Sequence, residues 1–332
     1  MSLRSFLLKR AVYTIVLLFF VILLNWVIFE AMPGAAGNLY SVLGQNGKLG
    51  KDQYDRQVAL YGLNKDYWTR FVDYFKAMLT FQFGFSYKDN LWVTTDMIAS
   101  GRLENTLELL GLSTVISILL GVLLGVIVSR RRGSALDNFW VGASLTTFSL
   151  PTFFMGILLI FIFAQTLGWF PAGSVYPVSW DQFGKPSLLL QIPTRLHYLF
   201  LPALTLTLFS YGGFLLLTRA TMMETLSEDY ILTARAKGLP ERTILFRHAF
   251  KNASLPIITS SALAFGSILS GAIITESIFN WNGLGQWLYQ AVLFKDFPVM
   301  QAMFYLIALS VIAANFVSDI LYGIVDPRIR YD

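Results

Sequence analysis

The sequence predicts an all-α integral membrane protein with six transmembrane helices and a large extracellular segment after the first. Three observations carry this. Of 332 residues, 55% are hydrophobic and 14% charged, against about 25% charged in soluble domains, and the mean hydropathy is +0.58. Apolar runs long enough to cross a bilayer, which takes about 20 residues, recur along the chain. Basic residues are sorted between those runs.

The first run, Ala11 to Phe29, carries no charge and exceeds the usual signal-peptide core of about 7–15 residues, so it reads as an uncleaved span. Further uncharged stretches run from Leu109 to Ser129, Leu196 to Thr218, Asn252 to Thr275 and Phe297 to Ser318. Asn138 to Trp180 is long enough for two spans, but Gly168, Pro171, Gly173 and Pro177 punctuate its second half. It reads as one span from Phe139 to Gly168, with Pro151 a point where it can break. Arg4, Lys9 and Arg10 precede the first span, and Arg130 to Arg132 follow the second. Arg219, Arg235, Lys237, Arg242, Arg247 and Lys251 separate the fourth from the fifth; Arg328 and Arg330 close the chain. With both termini cytoplasmic, all of these lie inside, as the positive-inside rule asks. Splitting the third stretch would place the loop from Arg219 to Lys251 outside. Six spans is the better count, in a multi-pass cell-membrane protein surrounded by lipid. The division is 1–30 for the N-terminus and first span, 31–103 for the extracellular segment, and 104–332 for a five-helix core that includes a cytoplasmic loop, 219–251.

Composition excludes several chemistries. The net charge of +5 comes from 25 Lys+Arg and 20 Asp+Glu, distributed as topology signals rather than as a nucleic-acid surface. No cysteine and two histidines leave no thiolate or histidine-rich metal site. A phosphate-cradling Gly-x-x-x-x-Gly-Lys-Ser/Thr is missing, since Gly47-Lys48 lacks both the upstream glycine and the hydroxyl. The chain is therefore not expected to bind ATP or to be an enzyme. No acid–base pair or nucleophile constellation emerges.

In the outer segment, Tyr67 to Thr80 has apolar residues at 68, 71, 72, 75, 78 and 79, the spacing of an amphipathic helix covering the ends of the spans. The inner loop is more specific. Ser227 is placed to N-cap a helix with Glu228 and Asp229 in its first turn and Arg235 and Lys237 near its end, complementing the helix dipole. Gly238 sits where a left-handed C-cap is expected, and Pro240 stops continuation. A second helix, Glu241 to Lys251, re-enters the membrane. Taken alone, this is also what a plain positive-inside hairpin would look like.

Asp229-Tyr230-Ile231-Leu232-Thr233-Ala234-Arg235-Ala236-Lys237-Gly238-Leu239, Arg247-His248-Ala249 and Asn252-Ala253-Ser254-Leu255-Pro256 resemble the coupling loop of binding-protein-dependent ABC transporter permeases. The resemblance is to the dipeptide/oligopeptide/nickel branch, first of its two permease subunits. Aligned on Gly238, the family's Glu-Ala-Ala falls on Leu232, Thr233 and Ala234, and Leu255-Pro256 lies farther on than the general pattern has it; both departures are like those of the peptide branch. Thr106 to Leu109, Ser149 to Gly156, Leu167 to Pro171, Leu201 to Leu206, Glu276 to Phe279 with Gly283-Leu284-Gly285, and Asp326-Pro327-Arg328 extend it over nearly the whole chain.

The resemblance implies a permease that pairs with a second, homologous permease around a central pathway. Two ABC ATPase subunits would hold ATP and Mg beneath, and an extracellular substrate-binding protein would deliver the solute. Asp229, Tyr230, Thr233, Ala234, Arg235, Ala236, Lys237, Gly238, Leu255 and Pro256 would form the ATPase-coupling loop, with Ala234 and Ala236 as small residues entering a partner's cleft. Oligopeptides or dipeptides are the implied solute, with oligosaccharides or nickel as alternatives. An ion-coupled secondary carrier would want an ionisable relay near the midplane, and a structural membrane protein would make the inner loop a topology signal only. For the pathway, Asn25, Glu108 and Asn315 are the intramembrane polar candidates. Glu104, Glu276 and Asp319 lie at span ends, where water can reach them.

Overall fold

The computed structural model describes residues 3–31, 65–266 and 272–325, and the regular elements among them are helices. Helix α1 spans Leu3–Trp26 and widens into a π-helical turn, Val27–Ala31. α2 (Tyr67–Leu79) and α3 (Val93–Ala99) belong to the outer segment. The core begins with α4 (Arg102–Ser129), α5 (Ala135–Ser149) and α6 (Thr152–Thr166, with a π-helical end). It continues with a short α7 (Ser179–Phe183), the long α8 (Leu188–Leu226) and α9 (Asp229–Ala236). α10 strings together Glu241–Thr243, a π-helical Ile244–Ala249 and Phe250–Gly266. α11 (Ile273–Ile278), α12 (Leu284–Phe294) and α13 (Phe297–Val325) follow.

Four of these helices are long and apolar enough to cross a membrane: Leu8–Phe29, Arg102–Ser129, Leu189–Leu226 and Phe297–Ile320. The expected third span is not one rod. α5 and α6 meet at 101°, because Pro151 forces Leu150 into an extended conformation (φ −78°, ψ 134°). An arm of 15 residues is about 22 Å long, short of the ~30 Å hydrocarbon core, so neither arm is long enough to cross by itself. The expected fifth span is described as Phe250–Gly266 and Ile273–Ile278; residues 267–271 between them lie outside the described residues, as do Gly47-Lys48 and Asp326-Pro327-Arg328.

α8 is the organising helix. Its 39 residues reach about 58 Å, nearly twice the ~30 Å hydrocarbon core of a bilayer. α4 lies against it through Ser113, Ser117, Gly121, Gly125 and Ser129, all buried and four residues apart. This is the small-residue spacing that lets two backbones approach closely in lipid. A Cβ on Gly121 would stand 2.5 Å from the Tyr211 carbonyl oxygen, and one on Gly125 2.6 Å from Thr218 Cβ.

The described part of the segment 31–103 packs over one end of α1, α12 and α13, burying Tyr74, Met78, Phe83, Val93 and Met97 with Ile22, Trp287 and Tyr305. Asp66 caps α2 by accepting from the Thr69 amide at 3.0 Å and its hydroxyl at 2.6 Å, which hold its carboxyl below the ordinary range. The expected face of α2 is largely the one that packs, with Met78 buried and Phe71, Val72 and Phe75 half-buried, but Tyr74 also goes inside while Leu79 is exposed and Trp68 remains 72% exposed. Between α12 and α13, buried Asp296 accepts from the Ser86 hydroxyl at 2.5 Å and from the amides of Tyr87 and Lys88, each at 3.2 Å. Arg10 and Asp319 pair at 3.1 Å, so the start of α1 and the end of α13 lie on one side.

Candidate functional site

The inner hairpin grows directly out of α8. Ser227 finishes that helix (φ −89°, ψ −5°) rather than capping the next, and its hydroxyl donates back to the Glu224 carbonyl at 2.7 Å. Only Ser227 and Glu228 separate α8 from α9, so Ser227 must still keep helical geometry. Glu228 is the residue in extended conformation before α9, without a side-chain cap bond. At the far end, Gly238 has φ +74°. Its amide donates to Arg235 O at 2.9 Å and the Leu239 amide to Ala234 O at 3.3 Å, the paired bonds of a Schellman turn. The reversal aims the chain at α10, and Arg235 and Glu241 pair across it at 3.1 Å.

One face of α9 is committed inward. Ile231 and Ala234 are buried with Val126 of α4, Met222 of α8 and Ile244, Leu245, Ala249 and Ala253 of α10. The expectation for Ala234 is therefore corrected: it fills this chain's own inner contact and is not available to a partner's cleft. Ala236 is exposed, together with Asp229, Tyr230, Leu232, Thr233, Arg235, Lys237 and Gly238. Tyr230 O–H accepts from Asn252 Nδ2 at 2.8 Å, steadying α9 against α10. Leu255 is half-buried and Pro256 exposed, both inside the α10 helix.

A groove of about 540 Å³ opens among α4, α6, α8 and α11. Ser113, Thr114, Ser117, Thr152, Ser210 and Thr275 supply hydroxyls to its wall, and Leu206, Phe209 and Phe214 supply apolar surface. Among the described residues, none that lines it is charged. Ser113 and Ser117 return their hydrogen bonds to α4 itself, to Leu110 O at 3.2 Å and Ser113 O at 2.7 Å.

The intramembrane polar candidates are all elsewhere. Asn25 is buried and donates to Gln301 O at 3.0 Å, joining α1 to α13. Glu108 and Glu104 of α4 both face Arg195 of α8, Glu104 at 3.6 Å; Asn105 Oδ1 accepts from the same guanidinium at 2.8 Å. Asn315 lies exposed on the outside of the bundle. None of the three lines the groove: Asn25 is taken by a helix–helix bond and Glu108 by an ion pair, while Asn315 is exposed on the bundle surface.

Glu276 departs furthest from its expected solvated place. It is 0% exposed. One carboxyl oxygen accepts from the Thr106 hydroxyl at 2.9 Å, the other from the Gln286 amide in the first turn of α12 at 2.9 Å. Thr106 in turn accepts from the Leu284 amide at 2.7 Å, and Trp281 Nε1 donates to Asn105 O at 2.9 Å. A Cβ on Gly283 would stand 2.5 Å from both Glu276 Oε2 and Thr106 Oγ1, so only glycine fits there. Helix-terminus capping by the carboxyl explains the burial; the sequence hint was the Gly283-Leu284-Gly285 that follows.

A second pair was not visible from the sequence. Asp137, 1% exposed in the first turn of α5, accepts from Arg219 Nε at 2.6 Å and Nη2 at 2.8 Å, and from the Gly133 amide at 2.8 Å. Arg219 had a meaning only as a topology charge.

Bilayer-length helices around a close-packed α4–α8 pair, with an inner helix–turn hairpin and an uncharged groove, are the frame of an integral membrane permease. Residues 117–331 match the family of inner membrane components of binding-protein-dependent transport systems, and the chain belongs to that family. It is 33% identical to the oligopeptide transport system permease protein of Bacillus subtilis (strain 168), over 98% of this chain and 99% of that one. It is also 33% identical to the di/tripeptide transport system permease protein of Pseudomonas aeruginosa (strain UCBPP-PA14), with the same two coverages of 98% and 99%. Against the dipeptide transport system permease protein of Escherichia coli (strain K12) the identity is 32%, again over 98% and 99%.

Proposed function

We propose that the chain is one of two permease subunits of an ATP-driven importer and that the imported solute is a peptide. The observation that carries this is likeness over 98% of the chain to permeases of oligopeptide, di/tripeptide and dipeptide transport systems. In this reading the chain crosses the membrane six times with both termini cytoplasmic, and 31–103 lies outside, where an extracellular binding protein docks. A second, homologous permease completes the pathway, of which the hydroxyl-lined groove is one wall. Two ATPase subunits carry ATP and Mg. They bear on the exposed side of α9, through Tyr230, Thr233, Arg235, Ala236 and Lys237. Asp229 begins the α9 helix and Gly238 ends it, while Ala234, Leu255 and Pro256 hold it and α10 in place. ATP-driven closure of the ATPase pair then moves α9 and turns the pathway outward, a rigid-body switch between two states.

The test is uptake by vesicles containing the full complex, loaded with ATP inside and given the binding protein outside. ATP-dependent import of di- or oligopeptides is expected, and no ATP hydrolysis by the purified subunit alone. Import of an oligosaccharide or nickel instead of peptide would overturn the solute. Hydrolysis by the isolated chain would overturn the division of labour.

A further inference from the structure

We propose that the Asp137–Arg219 pair is a positioning link that makes the bent α5–α6 pair follow α8 and α9, so that displacement of the inner hairpin reaches the groove at Thr152. The inference rests on the permease reading for the direction of the motion, and on geometry for its route. α8 is unbroken to Leu226, and α9 begins at Asp229 with Ile231 and Ala234 seated on Met222. The inner end of α8 and α9 therefore form one unit. Arg219 lies one turn before Met222 on that unit.

Asp137 is the group that receives it on α5. If its role were only to close the local loop, the Gly133 amide at 2.8 Å and the Ser134 hydroxyl accepting from the Asp137 amide at 3.3 Å would suffice. Both carboxylate oxygens instead meet the guanidinium fork, at 2.6 and 2.8 Å, a two-point contact that fixes orientation as well as distance. With the guanidinium in place the carboxylate is 1% exposed, and separating the pair would cost both charge-assisted bonds at once, which favours keeping the two helices together as they move. Farther along, α5 presses on α8 again: a Cβ on Gly212 would stand 3.0 Å from Ser144 Cβ and 3.1 Å from its carbonyl oxygen. With α5 clasped at both places, rotation of α8 is passed to the break at Pro151. The next residue, Thr152, is in the groove wall.

The readout is groove accessibility, which assumes nothing about the solute. The chain has no native cysteine, so Thr152→Cys is its one thiol, and the rate at which the full complex is labelled on this subunit, separated from its partners by electrophoresis, is measured with and without ATP. A change in rate on adding ATP is expected in this background. Asp137→Asn and Arg219→Gln should each shrink the change about fivefold or more, the lower range of allosteric couplings, read on the recovered complex; ATP hydrolysis per complex stays near the background, and recovery falls more for Arg219→Gln, which leaves the carboxylate without its cation. Arg219→Lys, which keeps the charge but loses the fork, should fall between. The double variant should be no worse than either single, as one shared interaction requires. Retention of the full ATP-dependent change in both single variants, an additive double variant, or no response in the background would each overturn the link. So would loss of the complex with the response of the surviving fraction intact, which is the mark of a merely structural pair. Peptide import, measured separately, judges the permease reading without touching this result.

Discussion

The two ends of the helix bundle are built on opposite physical terms. The outer end is stitched by buried polar bonds between residues far apart in sequence: Glu276 with Thr106, Trp281 with Asn105, Ser86 with Asp296. Each bond has direction, and each broken one leaves a desolvated group without a partner. The inner hairpin rests chiefly on small apolar contacts of Ile231 and Ala234 and on a turn closed by backbone bonds, with only exposed side-chain pairs, Arg235–Glu241 and Asn252–Tyr230, added to them. Apolar contacts tolerate a small rotation; directional buried bonds do not. In the permease reading the bundle is thus clamped where it faces the outside, while α9, where force enters, rests on apolar contacts beside the buried polar link of Asp137 to Arg219.

The sharpest way to break this contrast is Glu276→Ala. It would strand the Thr106 hydroxyl and the Gln286 amide at the start of α12, at a cost on the order of 3 kcal/mol, and should lower both membrane abundance and the thermal midpoint of the detergent-solubilised chain. An unchanged midpoint would mean that the outer network does not clamp the fold.

Gly238→Val should act more locally. A β-branched side chain at φ +74° is strained by roughly 1–3 kcal/mol, confined to the turn, so abundance should stay near normal while transport falls steeply and ATP hydrolysis loses control by solute. Ala234→Glu sharpens the point: it forces a carboxylate into the contact with Met222 and Leu245, so it should loosen α9 from its own chain as well as uncouple. Wild-type transport by both variants would reduce the hairpin to a topology signal.

The smallest perturbation tests sidedness alone. Gln82→Cys, exposed in the outer cap, and Ser227→Cys, exposed in the hairpin, should leave stability unaltered. The first should react with an impermeant thiol reagent added outside, the second only after permeabilisation. The reverse order would invert the two ends of the comparison.

Much of this architecture was legible because it rests on local rules. Apolar length marks a span, and the breaks at Pro151 and Gly238 follow from a missing amide hydrogen and a missing Cβ, so both could be placed within a residue. The N-cap at Ser227 was misplaced because a single-residue signal cannot tell the end of one helix from the start of the next when two residues separate them. On α2 most of the expected face packs inward, and Trp68 and Tyr74 exchanged places because both are plausible inward residues until a neighbour is specified.

What the sequence by itself determined is the bilayer-crossing character, the bend sites and the hairpin with its left-handed glycine, all consequences of solvent and backbone geometry acting over a few residues. Only the tertiary structure decided which polar groups are consumed and which surface is left open. Glu276 is buried and bonded, Asn25 ties two helices, Glu108 is held by Arg195, Asp137 grips Arg219, and the groove is lined by hydroxyls that no charge pattern announces. The reason is that a carboxyl or amide in a low-dielectric setting is governed by its partner, and these partners stand across the bundle rather than along the chain.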